Sequence, residues 1–512
     1  MRLAALVHTS NVVAAASGRL DKTSKLAAFL KELTPDEVPI AIGFFIGWPR
    51  QGRIGVGWAT VADASANEPA MAPTLELTDV DRAFGALQGV KGKGSAAERA
   101  RLVRELFARA TPDEQRFLSA LLIGEVRQGA LEGVMLDAVA KAAGVPADRL
   151  RRAVMLAGDL GVVAGAVCSG GEAALAALAG YKIELFRPVQ PMLADSADDV
   201  AEALGMSGEA TVEWKLDGAR IQVHRAGDRV AVYTRNLNDV TSRVPEVVEA
   251  VLGLEANELI LDGEVIALAD GGRPLSFQDT MQRFGRKLNV ETLRAQLPLT
   301  PFFFDVLLHD GEEVLDRPLS SRLELLEAIV PAAYRAPRLV SATVDEARRF
   351  QADTLERGHE GVMVKSLAAP YAAGRRGSAW IKVKTAKTLD LVVLAVEWGS
   401  GRRQGWLSNL HLGARDPVSG GFVMLGKTFK GMTDELLEWQ TKELLARETH
   451  RDGHVVHVRP ELVVEIAFNE VQRSAQYPGG VALRFARVKG YRPDKNASEA
   501  DTIDAVRAFA PQ

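Results

Sequence analysis

The chain has 512 residues, of which 47% are hydrophobic and 25% charged, with a formal net charge of −4. That length exceeds one ordinary core, so several domains of about 100–200 residues are expected. The composition is that of a globular protein. No apolar run approaches the roughly 18 residues needed to span a bilayer. The single cysteine, Cys168, permits no internal disulfide and no thiolate zinc site, so no structural zinc is expected.

The opening apolar stretch, Leu3 to Val7, is broken by His8, Thr9, Ser10 and Asn11. It is too short for a secretory segment, and a cytoplasmic chain is expected. The first third is Ala-rich and reads as helical. Ser95 with Glu98 reads as a capping box before a run that puts Leu102, Val103, Leu106 and Phe107 on one face. Thr111, Pro112 and Glu114 mark the next helix start; that helix buries Phe117, Leu118, Leu121 and Leu122 and stops near Gly124. The segment GEVRQGALEG follows, with Arg127 between its glycines. Such a loop lets backbone N–H groups approach phosphates, although most Gly-bearing connections are simple turns. Another helical run spans Val134 to Ala143.

Near Phe186 the texture changes. RPVQPMLADS reads as an extended linker. Period-two alternation then marks TVEW, RIQVHR and RVAVYTR as strands, the last two joined by a hairpin at Ala226-Gly227-Asp228. ELILD, EVIAL and FFFDVLL continue the strands with helices between, which predicts an α+β domain. From Leu389 onward LDLVVLAVEW, LSNLHLGAR, FVMLGKTF, ELVVEIAF and LRFARVKGY predict five strands, with a helical insert from Thr433 to Arg447. That pattern suits a small closed barrel of the oligonucleotide-binding (OB) type. The expected domains are 1–187 all-α, 188–387 α+β and 388–512 OB-fold β-barrel.

The net charge does not argue against nucleic acid, because phosphate binding follows local clusters of cations. Arg375, Arg376, Lys382, Lys384 and Lys387 form an acid-free run; Arg402, Arg403, Lys427 and Lys430 follow. A solvated face is the ordinary meaning of such a run. Gly421 to Thr428 matches the Walker A pattern in letters. Its inner residues Phe, Val, Met and Leu favour a strand, and no helix begins until about Thr433. Lys427 is therefore read as a strand residue.

Chemistry concentrates in Glu213-Trp214-Lys215-Leu216-Asp217-Gly218-Ala219-Arg220. K-x-D-G alone is only suggestive. Downstream stand Asp262-Gly263-Glu264, Phe304-Asp305, Glu360 to Lys365, Trp380 to Lys384, and Arg492-Pro493-Asp494-Lys495. This ordered series resembles the covalent nucleotidyltransferases, the superfamily of DNA ligases, RNA ligases and capping enzymes. It is most similar to ATP-dependent DNA ligases with an N-terminal helical DNA-binding domain, and Leu121 to Ala140 resembles part of that domain.

The resemblance implies that Lys215 attacks the α-phosphate of ATP and carries AMP to a nick in duplex DNA. Lysine must react as the neutral amine, yet its ordinary pKa is about 10.4. Nearby cations, Arg220 and bound Mg²⁺ among them, are expected to lower it. Glu213 would read adenine and Phe304 would stack on it. Arg220 and Arg235 would contact ribose or phosphates, Glu264 a ribose hydroxyl, and Arg376, Lys382 and Lys384 phosphates. Asp217, Glu264 and Glu360 would hold Mg²⁺. Arg492, Asp494 and Lys495 would orient pyrophosphate only on domain closure. Each has a bland reading: Phe304 can be plain core, and Glu264 and Glu360 surface carboxylates.

The expected partner is nicked double-stranded DNA, bound by a monomer without base-specific readout. The rivals are an RNA ligase or a GTP-using capping enzyme, a non-catalytic nucleic-acid scaffold that keeps the fold, and a P-loop ATPase using Lys427.

Overall fold

The computed structural model describes residues 1–52, 54–66, 68–126, 132–286, 288–373, 377–384, 387–400 and 403–510. Arg127, Arg375, Arg376 and Arg402, singled out from the sequence, lie outside them. The N-terminal region is helical from Leu3–Ala15 to Gly171–Ala179. One apolar core runs through it, from Leu3 and Leu6 to Ala174 and Leu178, with Phe44, Phe84 and Phe107 at its centre.

The helix Pro112–Ile123 starts as expected. The Thr111 N–H donates to Glu114 Oε2 at 2.8 Å, the Glu114 N–H donates back to Thr111 Oγ1 at 3.5 Å, and Gly124 closes the helix at φ +73°. The Ser95–Glu98 box does not form. Gly94, at φ +85°, takes the cap position, so Ser95 is already the first helical residue and makes no capping bond. A chain entering through the left-handed region needs glycine there, and that sets the boundary ahead of the serine.

The central region carries β1 (Asp195–Ala197), β2 (Ala210–Lys215), β3 (Ala219–Ala226), β4 (Arg229–Thr234), β5 (Glu258–Ala267), β6 (Leu299–His309), β7 (Glu312–Glu313), β8 (Arg338–Val340), β9 (Gly361–Ser366) and β10 (Trp380–Lys384). They form two sheets, ordered β1-β10-β9-β2-β8 and β4-β3-β5-β6-β7. ELILD and EVIAL, expected as two strands, are the single strand β5, which runs straight through Gly263. A Cβ on Gly263 would lie 2.8 Å from the Phe302 carbonyl. The glycine there permits close strand contact rather than making a turn.

The C-terminal region has β11 (Lys387–Trp398), β12 (Leu407–Arg415), β13 (Phe422–Thr428), β14 (Glu448–Asp452), β15 (Val455–Val458), β16 (Val463–Phe468), β17 (Glu470–Arg473), β18 (Val481–Arg484) and β19 (Arg487–Tyr491). The helix Asp434–Leu445 is inserted, capped by Thr433. The main sheet runs β13-β12-β11-β15-β14, with β16 on β11 and β19 on β16; β17 and β18 pair separately. Among the described residues no pairing joins its edges, so the ladder stays open where a closed barrel was expected. LRFARVKGY, expected as one strand, is split because Phe485 at φ +56° breaks the extended chain between β18 and β19. Within the Gly421 to Thr428 segment, Phe422–Thr428 is strand, as its side chains dictate, and Lys427 pairs with Glu397.

No helix among the described residues is long and apolar enough to cross a membrane.

Candidate active site

Side chains alternate across a strand, so Glu213 and Lys215 share one face of β2. Their partners on β9 are Met363 and Gly361, and the next partners on β10 are Lys382 and Lys384. On the other flank Arg338 of β8 stands opposite Glu213. The second sheet contributes Arg220 opposite Glu264. Two glycines permit the junction. A Cβ on Gly218 would sit 2.2 Å from the Val265 carbonyl, and one on Gly361, at φ +146°, would sit 2.3 Å from the Val383 carbonyl.

The Lys215 amine donates to Glu360 and contacts the Leu216 carbonyl at 3.4 Å. Glu360 also receives Lys384, and Asn469 donates to it at 3.2 Å. The Gly218 N–H donates to Glu264 at 2.8 Å. Asp217 pairs with Arg484 of β18 at 2.8 Å.

Burial disfavours the Lys215 charge, but Glu360, Glu264 and Asp217 together hold its pKa above the ordinary lysine value. This reverses the expectation of a lowered pKa, and the reason is local. Burial and the neighbouring Lys215 charge push Lys384 down. Burial raises Glu264. Burial and Glu360 raise Asp217. Burial also opposes the charge of Glu360, but Lys215 and Lys384 hold its pKa below the usual value. Arg220, expected to act on the lysine, is instead held by Asp262 at 3.1 and 2.6 Å and by the Met192 carbonyl. The Tyr371 hydroxyl completes that set, donating to Asp262 at 2.7 Å.

Glu213 forms a buried ion pair with Lys365. Phe304 lies in the core, edge-on to Trp380 at 5.6 Å, with the Lys365 amine 4.2 Å from its ring centroid. Lys382 lies 3.5 Å from the Ala194 carbonyl. Arg235 is exposed after β4 and hydrogen-bonds to none of these groups. Arg492 and Lys495 pair with Asp390, at 3.1 and 2.5 Å, and Asp494 pairs with Arg492 at 2.7 Å; none of the three bonds the lysine.

Several residues the sequence reading left without a role stand in the site: Lys365, Asp262, Trp380, Arg338, Asn469 and Arg484. Continuing the β2 alternation across β8, β9 and β10 would have found the first-sheet members Lys365, Trp380 and Arg338. Nothing local marks Asn469 or Arg484. His450, His454 and His457 gather on the β14–β15 hairpin, where the His450 and His457 rings stack at 4.2 Å. No group of three His, Cys, Asp or Glu side chains able to hold a metal converges among the described residues.

The sequence matches the family models described as DNA ligase N terminus over residues 59–140, ATP dependent DNA ligase domain over 191–384 and ATP dependent DNA ligase C terminal region over 403–495. A protein named Probable DNA ligase from Anaeromyxobacter sp. (strain Fw109-5) is 57% identical over 511 residues, covering 99% of this chain and 98% of its own. The chain belongs to the ATP-dependent DNA ligases. A second Probable DNA ligase, from Mycobacterium sp. (strain KMS), is 56% identical over 520 residues, with 98% of each chain covered. The solved structure named Pmar-Lig_Pre. shares the fold, with TM-score 0.63 and 18% identity, covering 95% of this ligase and 99% of that chain.

This family uses ATP as the AMP donor together with Mg²⁺. Asp217, Glu264 and Glu360 offer the hard oxygens Mg²⁺ prefers. In this ligase each is already engaged: Asp217 by Arg484, Glu264 by the Gly218 N–H and Glu360 by two lysines. The three do not form a magnesium cage as they stand.

Proposed function

We propose that Lys215 is the nucleophile of this DNA ligase. The observation that carries the reading is its amine at the junction of the two central sheets, bonded to Glu360, with Glu264 and Asp217 beside it. The amine attacks the α-phosphorus of ATP, forming a P–N bond as the bond to pyrophosphate breaks. A 5′-phosphate oxygen at a nick then attacks that phosphorus, and the P–N bond breaks. Finally the 3′-hydroxyl attacks the activated 5′-phosphate, the phosphodiester forms and AMP leaves. The proton held on Lys215 by Glu360 must depart before the first attack, so that step quickens as pH rises.

Glu213 reads the adenine amino group, and Phe304 lends an apolar wall to the base. Arg220 and Arg235 serve the nucleotide's ribose and phosphates, Arg376, Lys382 and Lys384 the phosphates, and Glu264 a ribose hydroxyl. Asp217, Glu264 and Glu360 are the carboxylates available to a metal once their present partners yield. The working units are 1–187, a helical DNA-binding domain, 188–387, the adenylation domain, and 388–512, an OB-type domain that completes a monomeric clamp on nicked duplex DNA.

A 5′-phosphorylated nick in duplex DNA, compared with an RNA–RNA nick, tests the reading. Wild type and Lys427→Ala seal the DNA nick and Lys215→Ala does not. Sealing by Lys215→Ala, or preference for the RNA nick, contradicts it.

A further inference from the structure

Arg338 and Glu213 are paired positions on neighbouring strands, so their side chains rise from the same face. Both are buried, with side chains 7% and 2% exposed. Yet no hydrogen bond or ion pair joins them. Lys365 engages Glu213 through Oε1, which leaves Oε2 with no hydrogen-bond partner. Neither Nη1 nor Nη2 of Arg338 has one. The acid nearest Arg338 is Glu327, 3.9 Å from Nη1, outside hydrogen-bond reach; it is half exposed and also faces Arg335 at 3.7 Å. Leaving buried donors and a buried acceptor unsatisfied is costly, and such groups in a binding site are normally completed by what binds.

The two orphans are of opposite kind, an acceptor and a pair of donors, and no hydrogen bond joins them directly. The group that completes both must offer a donor and an acceptor side by side. Adenine does so on either edge of its 6-amino group, with that N–H beside the ring nitrogen N1 or N7. Guanine presents the O6 acceptor to the Glu213 acceptor and fits badly.

We propose that Arg338 is a specificity-determining residue for the nucleotide donor, donating to the ring nitrogen beside the adenine 6-amino group while Glu213 Oε2 accepts from that group. This rests on the reading of Glu213 as the adenine contact. Together the two side chains select ATP over GTP by matching one donor and one acceptor. A site built to satisfy hydrogen bonds rejects a ligand that lacks one of them more strongly than an apolar pocket rejects a change of size.

Adenylation of Lys215 with ATP, 7-deaza-ATP and 1-deaza-ATP tests this, since each analogue replaces one ring nitrogen by C–H. Wild type should lose about 10–100-fold in kcat/KM with one analogue, the scale of one hydrogen bond to a buried charge. Arg338→Met should lose a similar factor on ATP and little more on that analogue, and Arg338→Lys should recover part of the loss. Wild type using both analogues as well as ATP overturns the proposal without any need for a folded variant. So does Arg338→Met that keeps the wild-type discrimination. If wild type carries AMP on no Lys215 at all, the underlying site reading fails as well, and mass spectrometry of the labelled protein tells that outcome apart.

Discussion

Arg484 Nη1 of the C-terminal region lies 2.8 Å from Asp217 Oδ2, two residues beyond Lys215. The same guanidinium lies 3.4 Å from the centroid of the Phe277 ring and 3.3 Å from Glu470. Asn469 adds a bond to Glu360. The C-terminal region thus closes on the lysine through β17–β18, while Arg492 and Lys495 stay with Asp390. Truncating Arg484 leaves a largely buried carboxylate unpaired at the junction, a loss of about 1–3 kcal/mol. Arg484→Ala should therefore slow nick sealing by about tenfold or more. Transfer of AMP from ATP to Lys215 should suffer less, a difference that single-turnover measurement of each step can separate.

The pH dependence of the first step follows from the lysine's neighbours. Carboxylates hold the Lys215 pKa above its ordinary value, so protonated, unreactive amine persists to higher pH. Replacing Glu360 by glutamine removes its charge but keeps its shape. The midpoint of the pH–rate profile for Lys215 adenylation should move to lower pH in Glu360→Gln. An unchanged or higher midpoint would show that Glu360 does not set the lysine's charge.

Gly218 carries the turn that brings the two sheets together, and its Cβ would strike the Val265 carbonyl. Gly218→Ala should displace the Lys215–Ala219 segment and cost about 1–3 kcal/mol of stability. Lys215 adenylation should fall out of proportion to that loss, measured as labelled AMP on protein that still shows native circular dichroism.

In the C-terminal sheet, burial tends to raise the Glu397 pKa, but bonds from Lys427, His411 and Asn409 depress it to about 2. A depressed carboxylate stabilises the fold above its unfolded value of 4.5 and loses that contribution as pH falls toward 2. Glu397→Gln should lower the melting temperature at neutral pH, by the equivalent of about 1–3 kcal/mol. The gap from wild type should narrow below about pH 4.

Arg322 and Asp305 form a wholly buried bidentate pair at 2.7 and 3.0 Å. Removing one partner strands a charge in the core. Arg322→Ala should destabilise the central region by about 3–5 kcal/mol, read from denaturant unfolding.

The site was legible to the extent that short-range pattern controls it. Lys215, Asp217, Gly218, Glu264 and Glu360 stand in compact motifs whose glycines and carboxylates have local reasons to be there, and the structure brings them to one junction. What the sequence could not supply depended on pairing over long separations. Arg484 reaches Asp217 and Asn469 reaches Glu360, both beside the lysine, from more than 250 and 100 positions away, through packing between regions, and no spacing rule encodes that. Arg220 carries the residue type expected of a nucleotide contact, and its bonds to Asp262 and Tyr371 depend on strand and loop packing that its own motif does not show. In the fold, Thr111 announced its helix because the capping box is local. Gly263 misled because a glycine in a strand can mark a turn or a close contact, and only the neighbouring strand decides. Barrel closure was hidden for the same reason: strand spacing predicted five strands where the described residues form β11 to β19, and it says nothing of whether the edges meet.

Peptide mapping by mass spectrometry, after incubation with ATP and Mg²⁺ and before any DNA is added, tests the central claim most directly. The expected result is one added adenylate group on the peptide bearing Lys215, discharged when a nicked duplex is supplied and absent from Lys215→Ala. Adenylate on another residue, or none while nicks are still sealed, would contradict it.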